Sequence, residues 1–265
     1  MKMTRKLIPA IAMLLVSAVM MSTASFAWFT MNSTVQATGM TVTAVAPASL
    51  WISQDGSTWV SAITFANEVV DNTETTDVNE GAPAQFKPVT PKTQTTFDAW
   101  TFKQLTDAAS TRVEADGTID NLAESDYVDS YSFFKDQFKL QLQSTAGDTA
   151  PLSAQVKVST TASTPDEIWR ALRVAIVTEG QTLTFAFDDD ATTDAKPDKY
   201  DEYTDAQTFT AKIVAGGADT NVVVYAWFEG NDLDCKNANA LNTTNFTIEV
   251  KFDIGDVETP APGND

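Results

Sequence analysis

Carboxylates are the residues here with the most obvious capacity for chemistry. Asp188, Asp189, Asp190, Asp194, Asp198, Asp201, Glu202 and Asp205 crowd one stretch of the chain. Oxygen-rich loops of this kind hold calcium, and Asp188, Asp189, Asp190 and Asp194 are the candidate ligands. Their spacing does not follow the Asp-x-Asp-x-Asp-Gly calcium loop, so a solvated acidic loop with no bound cofactor is the competing reading. Glu229, Asp232 and Asp234 form a second, smaller group behind an apolar run; a plain turn explains them equally well. The chain has no histidine. A Ser-His-Asp or Cys-His nucleophile cannot be assembled, nor can a His-Glu-x-x-His zinc site. A glycosidase needs only two carboxylates, but no pair stands out. The reading is therefore a protein that is not an enzyme.

The remaining chemistry is modest. Cys235 is the only cysteine, so no intrachain disulfide is possible and the core must hold the fold. Among six tryptophans, Trp51 and Trp59 are expected to face each other across a hairpin. Such a pair suits sugar stacking, which makes a secreted surface adhesin or glycan-binding module the alternative function. Core packing is the more ordinary use of tryptophan. The formal net charge is −19, which disfavours nucleic acid and anionic membrane surfaces as partners.

The elements that position these residues read as strands almost throughout. Residues 1–27 combine Lys2, Arg5 and Lys6 with an apolar run and then Ser25-Phe26-Ala27. That is the pattern of a secretory signal peptide, cleaved between Ala27 and Trp28 by a signal peptidase. Losing its three cations makes the remainder more acidic still. No later stretch approaches the ~20 apolar residues of a membrane helix, so the cleaved protein is expected to be secreted or associated with the cell surface, and not inserted in the membrane.

From 29 to 38 the chain alternates without a break. Phe29, Met31, Ser33, Val35 and Ala37 fall on one side, and Thr30, Asn32, Thr34, Gln36 and Thr38 on the other. After Gly39 the phase flips to Met40, Val42 and Ala44. A flip at a glycine marks a bend, so 28–39 is expected to be a pairing unit separate from the domain that follows, with Gly39 as hinge. A one-sided strand at a new N-terminus can add to a sheet, in its own subunit or in the next. Burial of Phe29, Met31 and Val35 yields about 5–8 kcal/mol, set against an association cost of about 4–15 kcal/mol. Addition to a second molecule is favourable only if most of the ladder forms.

Further on, Gln54-Asp55-Gly56-Ser57 between two apolar runs signals a hairpin. Residues 68–84 read as an acidic loop. Lys87-Pro88-Val89-Thr90-Pro91-Lys92 reads as extended but unpaired, and 96–123 as an insertion with a helical turn near 105–110. Phe138, Leu140 and Leu142, then Leu152, Ala154, Val156 and Val158, alternate with polar residues as half-buried strands do. Thr164-Pro165-Asp166-Glu167 is a capping box with proline at the first helical position, predicting a short helix through Arg170. Leu172, Val174 and Ile176, then residues 183–187, then Phe209, Ala211 and Ile213 follow as strands. Residues 222–228 are apolar at every position, as in a central strand covered on both sides. Phe246, Ile248, Val250 and Phe252 give the last strand. The predicted fold is all-β, an antiparallel two-sheet sandwich or jelly roll over 40–252 with one or two short helices, ending in an acidic flexible tail, 253–265.

Ser25-Phe26-Ala27 before Trp28-Phe29-Thr30, then Val35-Gln36-Ala37-Thr38-Gly39-Met40-Thr41-Val42, resembles the signal and first strands of the TasA/camelysin group of Firmicute proteins. Arg170-Ala171-Leu172-Arg173-Val174-Ala175 and Trp227-Phe228-Glu229-Gly230-Asn231-Asp232-Leu233-Asp234-Cys235 fit that class in general pattern. The resemblance implies a jelly-roll subunit of a biofilm-matrix fibre, released by a specialised signal peptidase. It also implies a homopolymer in which the N-terminal strand, through Phe29, Met31, Val35 and Ala37, completes the sheet of a neighbour. Part of the group is labelled metalloendopeptidase; without a histidine to bind zinc, that activity is not carried over.

Overall fold

A computed structural model describes residues 40–47, 49–66, 88–94, 96–106, 123–130, 132–160, 167–187, 201–230, 232, 235 and 246–260. The described chain is all-β. A first five-stranded sheet contains β1 (Met40–Val45), β3 (Ala62–Ala66), β8 (Thr149–Thr160), β11 (Gln207–Val214) and β13 (Phe246–Ile254), in the order β11-β8-β13-β1-β3. A second contains β2 (Leu50–Ser53), β7 (Phe134–Leu142), β9 (Leu172–Val177), β10 (Thr182–Ala186) and β12 (Thr220–Phe228), in the order β10-β9-β12-β7-β2. The ladders are antiparallel except that β1 runs parallel to β13, an exception to the purely antiparallel expectation.

Alternation sets the inner faces. Phe246, Ile248, Val250 and Phe252 of β13, Leu152, Ala154, Val156 and Val158 of β8, and Phe138, Leu140 and Leu142 of β7 are all buried in one apolar cluster shared by both sheets. The residues between them, such as Lys139, Gln141, Thr247 and Glu249, are half-buried on the outer faces. Each fully buried Val, Leu, Ile or Phe contributes about 1.5–3 kcal/mol. With no disulfide, this cluster is what holds the two sheets face to face. Cys235 is buried within it.

Between β2 and β3 the chain turns on Asp55. Its Oδ1 accepts the amide N–H of Ser57 at 2.8 Å and of Thr58 at 2.7 Å. Those amides hold the exposed Asp55 carboxyl well below the usual carboxylate range. Gly56 takes φ +72°, a conformation glycine adopts without cost. The hairpin predicted here forms, closed by the pairing of Ile52 with Val60.

The region expected to be an insertion is a third sheet. It contains β4 (Thr90–Gln94), β5 (Trp100–Leu105) and β6 (Tyr127–Ser130), in the order β4-β5-β6. Leu105, placed at the start of a helical turn, is the last residue of β5; 107–110 lie outside the described residues. Pro91 pairs after all, but on an edge strand and beside a register shift between Pro91 and Thr93. A proline is tolerated there because an edge leaves one row of amides unpaired. The predicted helix near Arg170 is a single 3-10 turn, Glu167–Ala171, leading into β9; Thr164, Pro165 and Asp166 lie outside the described residues.

The third sheet explains the two-sided apolarity of β12. Val222, Val224, Ala226 and Phe228 point into the main core, while Val223, Tyr225 and Trp227 join Val89, Trp100, Phe102, Phe133, Ala175 and Val177 in a second cluster. The rings of Trp100 and Tyr225 stack at 4.9 Å, and those of Phe102 and Phe133 at 4.3 Å. The Trp100 amide donates to the Tyr225 hydroxyl at 3.3 Å. The third sheet is also stitched by its backbone. Val89 N–H donates to Phe228 O at 2.9 Å, and Gly230 N–H to Val89 O at 3.0 Å.

The segment expected as an acidic tail is partly tied down. β13 continues to Ile254, and Glu258 pairs with Thr149 through two backbone bonds of 2.9 and 2.7 Å. Lys212 adds an ion pair to Glu258 at 2.6 Å. Residues 261–265 lie outside the described residues.

Truncating Trp100 to alanine is expected to cost about 3–5 kcal/mol, read by urea denaturation. A second expectation concerns alkali. Burial pushes the Tyr225 phenol up to about 12, and burial with the Glu249 carboxylate beside it pushes Tyr203 there too. Both remain neutral in the folded chain where the unfolded chain has ionised, so their stabilisation is complete below pH about 10 and is lost as pH rises through 12. Alkaline melting curves of a Tyr203→Phe/Tyr225→Phe variant should fall less steeply across that window than those of the parent.

Candidate functional site

The residues predicted to carry assembly, Ala27, Trp28, Phe29, Met31, Val35, Ala37 and the hinge Gly39, lie outside the described residues. What the structure gives is the point where that segment meets the domain. β1 sits inside the first sheet, flanked by β13 and β3. Met40 pairs with Phe246, the first residue of β13, and Thr41 pairs with Ala66, the last residue of β3. The residues that would continue either ladder, 39, 67 and 245, lie outside the described residues.

At the far side of the sandwich the edge strands β10 and β11 approach one another. Gln207 Nε2 donates to Thr184 O at 2.9 Å, and Gln181 Oε1 accepts the Thr210 amide. These side-chain bonds bridge the two sheets where no backbone ladder does. β11 changes register against β8 between Thr208 and Lys212, which bends it away from regular pairing. Beside the bend lies an open groove of about 400 Å³, with Leu152, Phe209, Ala211 and Ile213 along its floor and residues 178–180 and 217–221, the latter running into β12, as its walls. Val214, also on its lining, is 42% exposed.

Of the acidic loop, Asp188, Asp189, Asp190, Asp194 and Asp198 lie outside the described residues. Asp201 lies 3.9 Å from the Lys157 ammonium, which also pairs with Glu249 at 3.3 Å. The Tyr203 hydroxyl donates to that same Glu249. The second group resolves into separate tasks. Glu229 accepts from Thr90 Oγ1 at 2.5 Å and from Trp227 Nε1 at 3.0 Å, locking the third sheet to β12. Asp232 pairs with the Arg173 guanidinium, whose Nη1 also donates to Arg170 O at 2.8 Å and Leu172 O at 3.0 Å. Asp234 lies outside the described residues. Spoken for in this way, Glu229 and Asp232 serve the fold. Among the described residues no cluster of three His, Cys, Asp or Glu is placed to hold a metal.

The tryptophan pair needs correction. The hairpin bridge joins Ile52 to Val60, so the directly opposed partner of Trp59 is Ser53, and Trp51 and Trp59 stand on a diagonal. The strand residue directly beside Trp51 on the other side is Gln141 of β7. Sequence reasoning also missed the third sheet. Its signal was present in Trp100-Thr101-Phe102-Lys103, a short alternation that the surrounding polar residues obscured.

No protein-family model and no curated protein matches the chain. Among the described residues no helix is long and apolar enough to cross a membrane.

Thermal melting in the presence of calcium tests the 188–194 carboxylates. Millimolar calcium is expected to leave the melting temperature unchanged. A rise that disappears in an Asp188→Asn/Asp189→Asn/Asp190→Asn variant would instead assign a calcium site to that loop.

Proposed function

We propose that the chain is a secreted structural protein, the subunit of an extracellular biofilm-matrix fibre. A signal peptidase cuts between Ala27 and Trp28, and residues 28–38 of one molecule add as a strand to the sandwich of the next. The observation that carries this reading is the unbroken alternation of 29–38 directly ahead of β1, an interior strand of the first sheet that is paired on both sides. A strand that is apolar on one side gains little in solvent, and a second copy offers it a sheet edge.

Two further features support the reading. The chain passes from one sheet to the other between β7 and β8, β8 and β9, and β11 and β12, as it does in a jelly roll. The groove beside β11 has an apolar floor and an irregular edge strand, and suits a one-sided strand bearing Phe29, Met31 and Val35. Head-to-tail exchange of this kind is heterologous, so it builds an open fibre and not a closed dimer. Catalysis has no part in the reading, and neither does a bound cofactor.

Negative-stain microscopy of the cleaved chain should show fibres. Deletion of residues 28–38 should abolish them and leave a soluble monomer with an unchanged melting temperature. A deletion variant that still polymerises would end the strand-donation reading.

A further inference from the structure

The outer face of the second sheet is divided in two. Over Val223, Tyr225 and Trp227 the third sheet covers it. Toward the other end of β12 the Asp55–Gly56 turn covers Ser53 and reaches the Lys139 side chain, while Trp51 stays exposed. Leu50, Ile52, Leu140, Leu142 and Val222 point into the core there, so the alternate residues Trp51, Lys139, Gln141 and Asn221 face outward. The register sets Trp51 beside Gln141, and Lys139 between Ser53 and Asn221.

These side chains form a band with a definite chemistry. Trp51 is 40% exposed, and its indole N–H has no hydrogen-bond partner among the described residues. Gln141 Oε1 accepts from Gln143 Nε2 at 2.9 Å, which orients both amides. Lys139 lies 3.6 Å from Asp219, and Asn221 donates to Glu179 at 2.8 Å. On a chain of net charge −19, this band places a cation against its anions and exposes oriented amides beside one aromatic plate.

We propose that this band binds a neutral oligosaccharide. A pyranose ring presents one face of C–H groups, which packs on an exposed indole, and a rim of hydroxyls, which pair with amides, an ammonium and the indole N–H. Lys139 stands against Asp219 with Glu179 beside Asn221, so the local charge is net negative, which disfavours an acidic glycan and leaves an uncharged one unopposed. Nucleic acid needs a basic stripe that this band lacks. A stable protein partner needs roughly 800 Å² per side around an apolar centre, whereas Trp51 is the one large apolar side chain exposed on this band among the described residues. The inference does not depend on fibre formation: Trp51 and Gln141, which carry the test, do not line the groove beside β11, although Asp219 and Asn221 do.

An array of neutral glucans, mannans and galactans, with polygalacturonate and hyaluronan as acidic comparisons, tests it with the full chain. The best neutral oligosaccharide is then titrated by calorimetry against the parent, Trp51→Ala, Trp51→Tyr and Gln141→Ala. Saturable binding is expected, weakened roughly tenfold or more by Trp51→Ala, largely kept by Trp51→Tyr, and weakened by Gln141→Ala, with melting temperatures close to the parent's. Absence of saturable binding, binding restricted to acidic glycans, or equal affinity in Trp51→Ala overturns the proposal. Should Trp51→Ala fail to fold, equal affinity in Gln141→Ala overturns it alone.

Discussion

The structure depends on burying both faces of one strand. β12 has core on its inner side at Val222, Val224, Ala226 and Phe228, and a second apolar layer on its outer side at Val223, Tyr225 and Trp227. A two-sheet sandwich supplies cover for only the first set. The second set would expose large aromatic area without the third sheet, and Trp100, Phe102 and Val89 provide that cover. The cost of ordering β4 to β6 is offset by aromatic burial on the order of 1.5–3 kcal/mol per large side chain. Polar groups then fix the alignment. Glu229 holds Thr90 and Trp227 at once, and a half-buried carboxylate with two donors is tolerated where a bare one would cost more.

The same economy governs the edges. A sandwich built from short strands has open edges that invite unwanted pairing. Three of them, at β4, β11 and β10, are blunted by a local device. Pro91 and a register shift interrupt β4, a second shift bends β11, and Gln181 and Gln207 occupy backbone groups between β11 and β10. The acidic surface adds long-range repulsion between copies. The alternating run from Phe29 to Thr38, proposed above to pair with a second copy, directly precedes β1, which is held on both sides by β13 and β3.

Strand existence was legible where alternation ran unbroken. Phe246-Thr247-Ile248-Glu249-Val250-Lys251-Phe252 and Leu152-Ser153-Ala154-Gln155-Val156-Lys157-Val158 have a period of two, and that period survives folding because one face meets the core and the other meets water. The continuous apolar run of β12 correctly announced cover on both sides, but nothing local could say what the cover was. The third sheet went unread because its strands are short, Pro91 interrupts β4, and Thr101 and Lys103 flank Phe102 in β5. The Trp51 and Trp59 pairing failed for a related reason. A turn held by Asp55 closes seven residues and sets Ile52 against Val60, and a shift of one residue in register moves every facing pair.

Local pattern thus determined the strand content, the inward residues of the main core, the absence of histidine chemistry and the acidic surface, because each depends only on residue type and on the period of the backbone. Tertiary structure decided the parallel pairing of β1 with β13, the aromatic layer over Tyr225, the capture of Glu229 and Asp232 by the fold, and the meeting of Trp51 with Gln141. These are contacts between residues far apart in the chain. They are fixed by which surfaces must leave water together, a condition that no short window of sequence contains.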